Sequence, residues 1–121
     1  MVSIKQPCVA YFCMEFGLHE SFPIYSGGLG ILAGDIMKAA CDQERALVGI
    51  GILWDEGYTI QKIDENGQPY DQFVKTTREY LKPLEPTVEV TIRGQKVSLR
   101  AWEVNHFGSN PLILLEPVAQ G

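Results

Sequence analysis

The sequence predicts an α/β fold in which one strand–helix–strand unit is followed by β-hairpins. A glycine-rich turn at residues 25–30 separates an apolar run at residues 8–13 from a stretch with helical spacing at residues 31–45. A second apolar run follows at residues 47–54. Beyond residue 57, short alternating apolar runs are broken by turn residues, which is typical of antiparallel strands. Strand, glycine turn, helix and strand in this order predict a right-handed βαβ unit.

The first strand is predicted over residues 8–13, whose continuous apolar character suits a parallel strand covered on both faces. Residues 14–25 have no period and contain Gly17 and Pro23, so they predict a loop. This loop follows the carboxyl end of a parallel strand, where open α/β sheets bind ligands. It carries His19, which is either a polar loop residue beside the anchoring side chains Phe16, Phe22 and Ile24 or a residue that contacts a ligand.

The glycine turn is the strongest local signal for function. Gly27, Gly28 and Gly30 lack a Cβ, so they allow positive φ and let a ligand approach the backbone closely. The N–H groups of the first helical turn, together with the helix dipole, favour an anion, most often a phosphate. A tight turn without any ligand is the alternative. The P-loop and dinucleotide-binding motifs are both absent.

The helix is predicted over residues 31–45. Its apolar face has the spacing i, i+4, i+7 and i+8 and consists of Leu32, Ile36, Ala39 and Ala40. The opposite face is a charged stripe spaced for ion pairs, made of Asp35, Lys38, Asp42 and Arg45. Ile31, Ala33 and Met37 widen the apolar face, as expected for a helix that lies between a sheet and further protein.

The remaining elements are predicted from short apolar runs. The strand at residues 47–54 contains Gly49 and Gly51, which indicate close packing by another element. A strand at residues 57–63 ends in a tight turn at Asn66-Gly67, and residues 68–86, with three prolines, predict a loop. Later strands are predicted at residues 87–92, 97–104 and 112–115, with a turn at Gly94-Gln95 and a bulge at Trp102. Because the two apolar strands need partner strands that are not found in this sequence, we expect a fragment of a longer protein.

Composition excludes several classes of function. The 121 residues carry a formal net charge of -5, which argues against broad nucleic-acid binding. No apolar run approaches the ~20 residues of a membrane helix, and no secretory signal is visible. Cys8, Cys13 and Cys41 are an odd number without C-x-x-C spacing. They favour buried free thiols in a reducing compartment, hence the cytoplasm, over a disulfide, and they argue against a metal site.

Long segments of the sequence match one family in a single register. They are YFCMEFGLHES at residues 11–21, PIYSGGLG at 23–30 and LAGD at 32–35, with further matches at 47–51, 57–58, 61–63, 101–104 and 114–116. They closely resemble the N-terminal region of the α-glucan (glycogen, starch and maltodextrin) phosphorylases, and in particular the shorter microbial branch. The resemblance covers about residues 8–116.

The resemblance implies a fold and an activity. The fold is the B-type glycosyltransferase architecture of two Rossmann-like domains. Residues 1–121 would form the N-terminal portion of the first domain, with the βαβ unit at about 8–54 and a β-rich part at about 57–116. The activity would be transfer of a terminal glucosyl unit of an α-1,4-glucan to inorganic phosphate. Pyridoxal phosphate would be bound by a lysine of a C-terminal domain absent here, so the isolated chain is expected to be inactive and the whole enzyme to be a homo-oligomer.

The resemblance also implies site residues. Gly27, Gly28 and Leu29 would lie against the glucosyl unit and the phosphate, with Ser26 and His19 as further candidates. Glu15 matches the glutamate of the family's Glu-Phe motif, which either borders the active site or holds the loop. No complete catalytic set and no metal site is expected in this chain.

Two other classes of function stay open at this point. A glycogen or starch synthase-type enzyme uses a nucleotide sugar and a similar Gly-Gly-Leu loop. That family has a lysine two residues before its first glycine, where this sequence has Tyr25. A fragment without catalytic function, which only associates with other chains through open strand edges, is the third class.

Overall fold

The computed structural model describes residues 8–118 and confirms the predicted α/β class. Its elements in chain order are β1 (Val9–Phe12), α1 (Gly28–Asp42), β2 (Leu47–Ile52), β3 (Ile60–Ile63), β4 (Pro69–Gln72), β5 (Lys82–Ile92), β6 (Gln95–Val104) and β7 (Leu112–Pro117). β1, α1 and β2 form the predicted strand–helix–strand unit, and β1 pairs with β2 in parallel. Among these residues, no helix has the length and apolar character that crossing a membrane requires.

Five of the strands form one mixed sheet in the order β1-β2-β7-β6-β5. β7 pairs in parallel with β2, from Gly49↔Leu112 to Ile52↔Leu115, and antiparallel with β6. The expectation that both apolar strands lack partners was therefore wrong for β2. β1 lies at the edge of the sheet, and Val9 and Phe12 are 58% and 71% exposed. Within residues 8–118, β1 is therefore not covered on both faces, contrary to prediction.

The helix occupies a slightly different range from the one predicted. It begins at Gly28, inside the glycine turn, and ends at Asp42 because Glu44 adopts a left-handed φ of 53°. Its buried residues are Gly30, Ala33, Gly34, Met37 and Ala40. Of the four residues predicted at i, i+4, i+7 and i+8 only Ala40 is buried, and Leu32 is 57% exposed. Of the residues predicted to widen the apolar face, Ala33 and Met37 are fully buried. The charged stripe forms no ion pair within the described range.

Glycines explain why this face of the helix is the buried one. A Cβ on Gly34 would lie 1.9 Å from the Gly17 carbonyl oxygen, and the Gly17 N–H donates to the Gly30 carbonyl at 2.7 Å. The backbone of the helix therefore touches the backbone of the loop directly. Further along the helix, a Cβ on Gly49 would lie 2.8 Å from the end of the Met37 side chain, so α1 also packs closely against β2. The close packing predicted at Gly49 is confirmed.

The loop at residues 14–25 supplies much of the hydrophobic core. Phe16, Leu18, Phe22 and Ile24 are 0–2% exposed and pack with Met37. A Cβ on Gly51 would meet the Phe16 ring at 2.9 Å, which confirms close packing there as well. Although the loop has no regular structure, its apolar side chains fix it firmly.

The β-rich part differs from prediction in several places. The Asn66-Gly67 turn lies where it was predicted, but β4 follows it inside the predicted loop and pairs with β3, so the turn joins two strands. β5 begins at Lys82, with an irregular register between Pro83 and Thr87, whereas the bulge predicted at Trp102 is not present. The β5–β6 turn consists of Arg93 and Gly94, with φ of 50° and 78°, instead of Gly94-Gln95. Positive φ at both central residues is the geometry that suits the twist of a two-residue hairpin.

A buried carboxylate joins the later strands. Glu116 on β7 accepts hydrogen bonds from Arg78 at 2.8 and 3.2 Å, from Arg100 Nε at 2.6 Å and from Trp102 Nε1 at 2.9 Å. Both guanidinium groups lie 5.4 Å from the centre of the Trp102 ring. The hydrogen bonds from Arg78 first, and then those from Trp102 and Arg100, lower the pKa of Glu116 to about 2 against the opposing effect of burial. Pattern reasoning from the sequence did not predict this cluster.

The three cysteines are free thiols in this structure. Cys8, Cys13 and Cys41 are half-buried, less covered than the sequence predicted.

Candidate functional site

The glycine turn borders a pocket at the carboxyl ends of β1 and β2, the edge of the sheet at which the sequence predicted a ligand. The pocket has a volume of about 360 Å³. Its lining residues are Met14, Glu15, Pro23, Ile24, Tyr25, Ser26, Trp54, Glu56, Gly57, Tyr58 and Thr59. The residues that follow β1 and β2 thus meet the turn that precedes α1.

Glu15 fixes the shape of the turn. Its Oε2 accepts hydrogen bonds from the Ser26 N–H at 2.6 Å and from Ser26 Oγ at 3.1 Å, and its Oε1 accepts one from the Gly30 N–H at 3.2 Å. The carboxylate therefore holds the turn on both sides of Gly27 and Gly28. Of the two interpretations left open by the sequence, these contacts support the one in which Glu15 holds the loop.

The N–H groups between these two anchor points have no acceptor among residues 8–118. Gly27 caps the helix without a side-chain hydrogen bond, and its carbonyl accepts from the N–H groups of Gly30 and Ile31 at 3.1 and 3.2 Å. The N–H groups of Gly27, Gly28 and Leu29 make no such bond. Three backbone donors at the positive end of a 15-residue helix therefore remain available.

Close packing requires glycine at one of the three glycine positions of the turn, residue 30, but not at residues 27 and 28. A Cβ on Gly30 would lie 2.5 Å from the Tyr25 Cβ, so close packing requires glycine at that position. A Cβ on Gly27 or Gly28 would meet nothing within 4 Å, and neither residue has the positive φ that the sequence suggested. Packing within the described residues does not require glycine there, but bare backbone leaves open space beside the free N–H groups.

The structure places the other predicted residues as follows. Ser26 lines the pocket and bonds to Glu15. His19 does not line it: its Nδ1 accepts from the Ser21 N–H at 3.1 Å, and its ring stacks on Phe107 with 5.4 Å between centroids. In the described part of the chain, no group of His, Cys, Asp and Glu residues is arranged to hold a metal ion.

Sequence reasoning missed two aromatic residues of the pocket. Trp54 ends the second apolar run, and its Nε1 donates to the Met14 carbonyl at 2.9 Å. Tyr58 follows Gly57, whose Cβ would lie 2.6 Å from the Pro23 carbonyl oxygen. An aromatic residue directly after a strand that ends at the ligand-binding edge is the signal that could have pointed to Trp54.

Comparison with known proteins identifies relatives of this chain. The maltodextrin phosphorylase of Thermococcus litoralis is 43% identical over 117 residues, which cover 89% of this chain. The glycogen phosphorylase of Aquifex aeolicus is 36% identical over 121 residues, which cover 93% of it. This chain is homologous to the glycogen and maltodextrin phosphorylases. It spans 14% and 17% of the length of these two phosphorylases. No protein-family model matches the sequence.

A solved structure supports the fold independently of phosphorylase sequence similarity. The catalytic domain of starch synthase IV from Arabidopsis thaliana, bound to ADP and acarbose, matches with a TM-score of 0.61 and 19% identity. The match covers 93% of this chain and 18% of the synthase chain. At this level of identity the similarity concerns the fold alone. It confirms the prediction that this chain has a partial Rossmann-like α/β fold.

Proposed function

We propose that this chain is the N-terminal portion of an α-1,4-glucan phosphorylase and supplies the phosphate-facing side of its active site. The observation that carries the proposal is the set of three free N–H groups at Gly27, Gly28 and Leu29, which lie at the positive end of α1 beside a pocket. In the reaction, the bond between the terminal glucosyl C1 and the glucan oxygen breaks. A bond between C1 and a phosphate oxygen forms, the departing glucan oxygen takes a proton from the phosphate, and glucose 1-phosphate and the shortened glucan are released.

In this proposal the turn acts on the phosphate through fixed backbone dipoles. Donors that are already in place stabilise negative charge as it develops, without the cost of reorienting them during the reaction. Glu15 acts as a positioning residue, because three donors of the turn occupy its carboxylate. By accepting from Ser26 and Gly30, it keeps the intervening N–H groups free for the ligand.

The other components would come from outside these residues. Pyridoxal phosphate, when bound, supplies a phosphate group that exchanges a proton with the substrate phosphate. The similarity to the phosphorylases implies that a lysine of a C-terminal domain would hold this cofactor. The free N–H groups suit an anionic ligand of this kind. We further propose that the whole enzyme is a cytoplasmic homo-oligomer.

Titration of the ¹⁵N-labelled chain with inorganic phosphate tests the anion site. We expect saturable shifts of the amide signals of Gly27, Gly28 and Leu29. Gly67 and Gly94 lie in distant hairpin turns, so they provide a control for general effects of ionic strength. Sodium chloride of equal ionic strength is the second control. Absence of a saturable response at the three amides, or an equal response at the control glycines, would overturn the proposal.

A synthase-type reaction is the second candidate, because synthase-type enzymes have a similar Gly-Gly-Leu loop. The two reactions differ in the glucosyl donor. A polypeptide that joins this chain to its downstream coding sequence should form glucose 1-phosphate from maltodextrin and phosphate, given pyridoxal phosphate. Transfer only from a nucleotide sugar would replace the phosphorylase proposal with the synthase. The chain alone should be inactive, and an extended polypeptide inactive with both donors would favour a purely associating fragment.

A further inference from the structure

The pocket beside the glycine turn is lined by acidic side chains, which a phosphate ligand does not explain. Glu15 and Glu56 both line it, and no Lys or Arg is among its described lining residues. The Glu15 carboxylate is already held by donors of the turn, so the Glu56 carboxylate is the charge that would repel a second anion, and the pocket suits an uncharged ligand. A carboxylate accepts hydrogen bonds readily, which favours a ligand that carries hydroxyl groups.

Two exposed aromatic side chains contribute to the apolar surface of the pocket, beside Met14, Pro23, Ile24 and Tyr25. Trp54 and Tyr58 are 39% and 59% exposed, and together we call them the aromatic platform. The C–H faces of a sugar ring are apolar while its edge carries hydroxyl groups. A pocket that combines exposed aromatic rings with a few polar groups therefore matches a sugar on both counts.

The aromatic platform is held in place before any ligand arrives. The bond from Trp54 Nε1 to the Met14 carbonyl fixes the indole beside the loop that carries Glu15. The next residues are anchored by the Gly57 N–H, which donates to the Val74 carbonyl at 2.8 Å, and by the Asp55 carbonyl, which accepts from Thr76 at 2.9 Å. Because little freedom is lost on binding, such fixed rings can hold a ligand at low entropic cost.

We propose that the aromatic platform of Trp54 and Tyr58 binds a glucosyl unit of the glucan next to the phosphate site. This inference rests on the proposed phosphorylase function, since that function places a glucan near the glycine turn. It assigns the two ligands to different parts of one site: the phosphate to the free N–H groups, and the neutral sugar to the aromatic and carboxylate side. Trp54 and Tyr58 would then be residues that position the glucan.

Tryptophan fluorescence tests the aromatic platform directly. The chain has two tryptophans, and Trp102 is held in the Glu116 cluster. A Trp102→Phe variant reports on Trp54, and a Trp54→Phe variant reports on Trp102 as a matched control. Maltohexaose should change the emission of Trp54 in a saturable way and leave that of Trp102 unchanged. Tyr58→Ala, at an exposed position, should weaken the binding by about 3- to 10-fold, as expected when one stacked aromatic contact is lost.

The outcomes separate this inference from the proposed function. If Trp54 does not respond to maltohexaose at millimolar concentration, or only Trp102 responds, the aromatic platform is wrong, whatever the phosphate titration gives. If Tyr58→Ala binds as tightly as the parent chain, the role of Tyr58 is wrong. A saturable response of Trp54 without any phosphate response at residues 27–29 would support the aromatic platform and overturn the phosphate site. Circular dichroism of each variant confirms that the chain is folded.

Discussion

The contact between Gly34 and Gly17 predicts a large effect of one added methyl group. A Cβ at residue 34 would lie 1.9 Å from the Gly17 carbonyl oxygen and 2.6 Å from its carbon, whereas ordinary contact begins at 3.4 Å. The helix and the loop would therefore have to separate by about 1.5 Å, because the obstructing atoms are backbone. This separation would also break the hydrogen bond of 2.7 Å from the Gly17 N–H to the Gly30 carbonyl.

The opposing effects can be compared in free energy. Overpacking costs ~1–3 kcal/mol and the lost hydrogen bond ~1 kcal/mol. Replacing glycine by alanine in a helix gains ~1 kcal/mol. We therefore expect Gly34→Ala to lower the free energy of unfolding by about 1–3 kcal/mol, which corresponds to a fall in Tm of about 4–12 °C for a chain of this size.

Urea unfolding followed by circular dichroism measures this effect. Gly28→Ala is the matched control for stability, because a Cβ there meets nothing within 4 Å. Its free energy of unfolding should stay within about 0.5 kcal/mol of that of the parent chain. If Gly34→Ala is as stable as the parent or more stable, helix propensity outweighs the contact, and the close approach of α1 to the loop is not a determinant of the fold.

Three other perturbations follow from the structure. Glu15→Gln removes the charge that holds Ser26 and Gly30. The Gly30 N–H keeps the Gly27 carbonyl as a second acceptor, so the Ser26 amide is the informative one, and its hydrogen exchange should accelerate by about 10-fold or more; unchanged exchange would contradict the positioning role. Because the folded pKa of Glu116 is about 2, below the unfolded value of 4.5, the stability that it contributes is present above about pH 5 and is lost as the pH falls toward 2. This pKa shift corresponds to at most about 3 kcal/mol of stability, and solvent screening of the half-exposed guanidinium groups reduces it to about 1–2 kcal/mol. The urea midpoints of the parent and of Glu116→Gln should therefore differ at pH 7 and converge near pH 2–3. A difference that stays constant with pH would refute this reasoning. Arg93→Asn should raise the free energy of unfolding by about 0.5 kcal/mol, because asparagine tolerates the left-handed φ of 50° better; a lower urea midpoint would contradict this reasoning.

The βαβ unit could be predicted because its signals are local. The apolar run before residue 13, the glycines at 27–30 and the run from Leu47 fix the order and type of three elements by themselves. The buried face of the helix could not be predicted from spacing alone. Gly30 and Gly34 carry no hydrophobic signal, yet they allow the closest approach of α1 to the loop, and this approach leaves Leu32 exposed.

Sequence patterns did not predict the full extent of the strands after residue 57 or their pairing partners. Pro83 and Pro86 argued for a loop, but an irregular register between Pro83 and Thr87 lets β5 continue past them. The partner of β2 was missed for a different reason. Leu112–Leu115 was recognised as a strand, but which strand it would lie beside depends on contacts distant in sequence.

The candidate site likewise has some features that could be predicted from the sequence and others that could not. The N–H groups at the start of α1 follow from the glycine pattern, although the reason given for the glycines, positive φ, was wrong at Gly27 and Gly28. The bonds from Glu15 across to Ser26 and Gly30 join residues 11 and 15 positions apart, and no periodicity encodes them. The meeting of Trp54 with this loop likewise depends on the pairing of β1 with β2.

The position of β7 between β2 and β6 has a consequence for biosynthesis. The ribosome delivers β2 about 60 residues before it delivers the strand that β2 pairs with on this side. At ~5–20 residues per second, the nascent chain waits roughly 3–13 s with that edge of β2 open. During this interval the free amides and carbonyls of an apolar strand can pair with a neighbouring polypeptide, so the risk of aggregation through β2 is greatest before β7 has been synthesised.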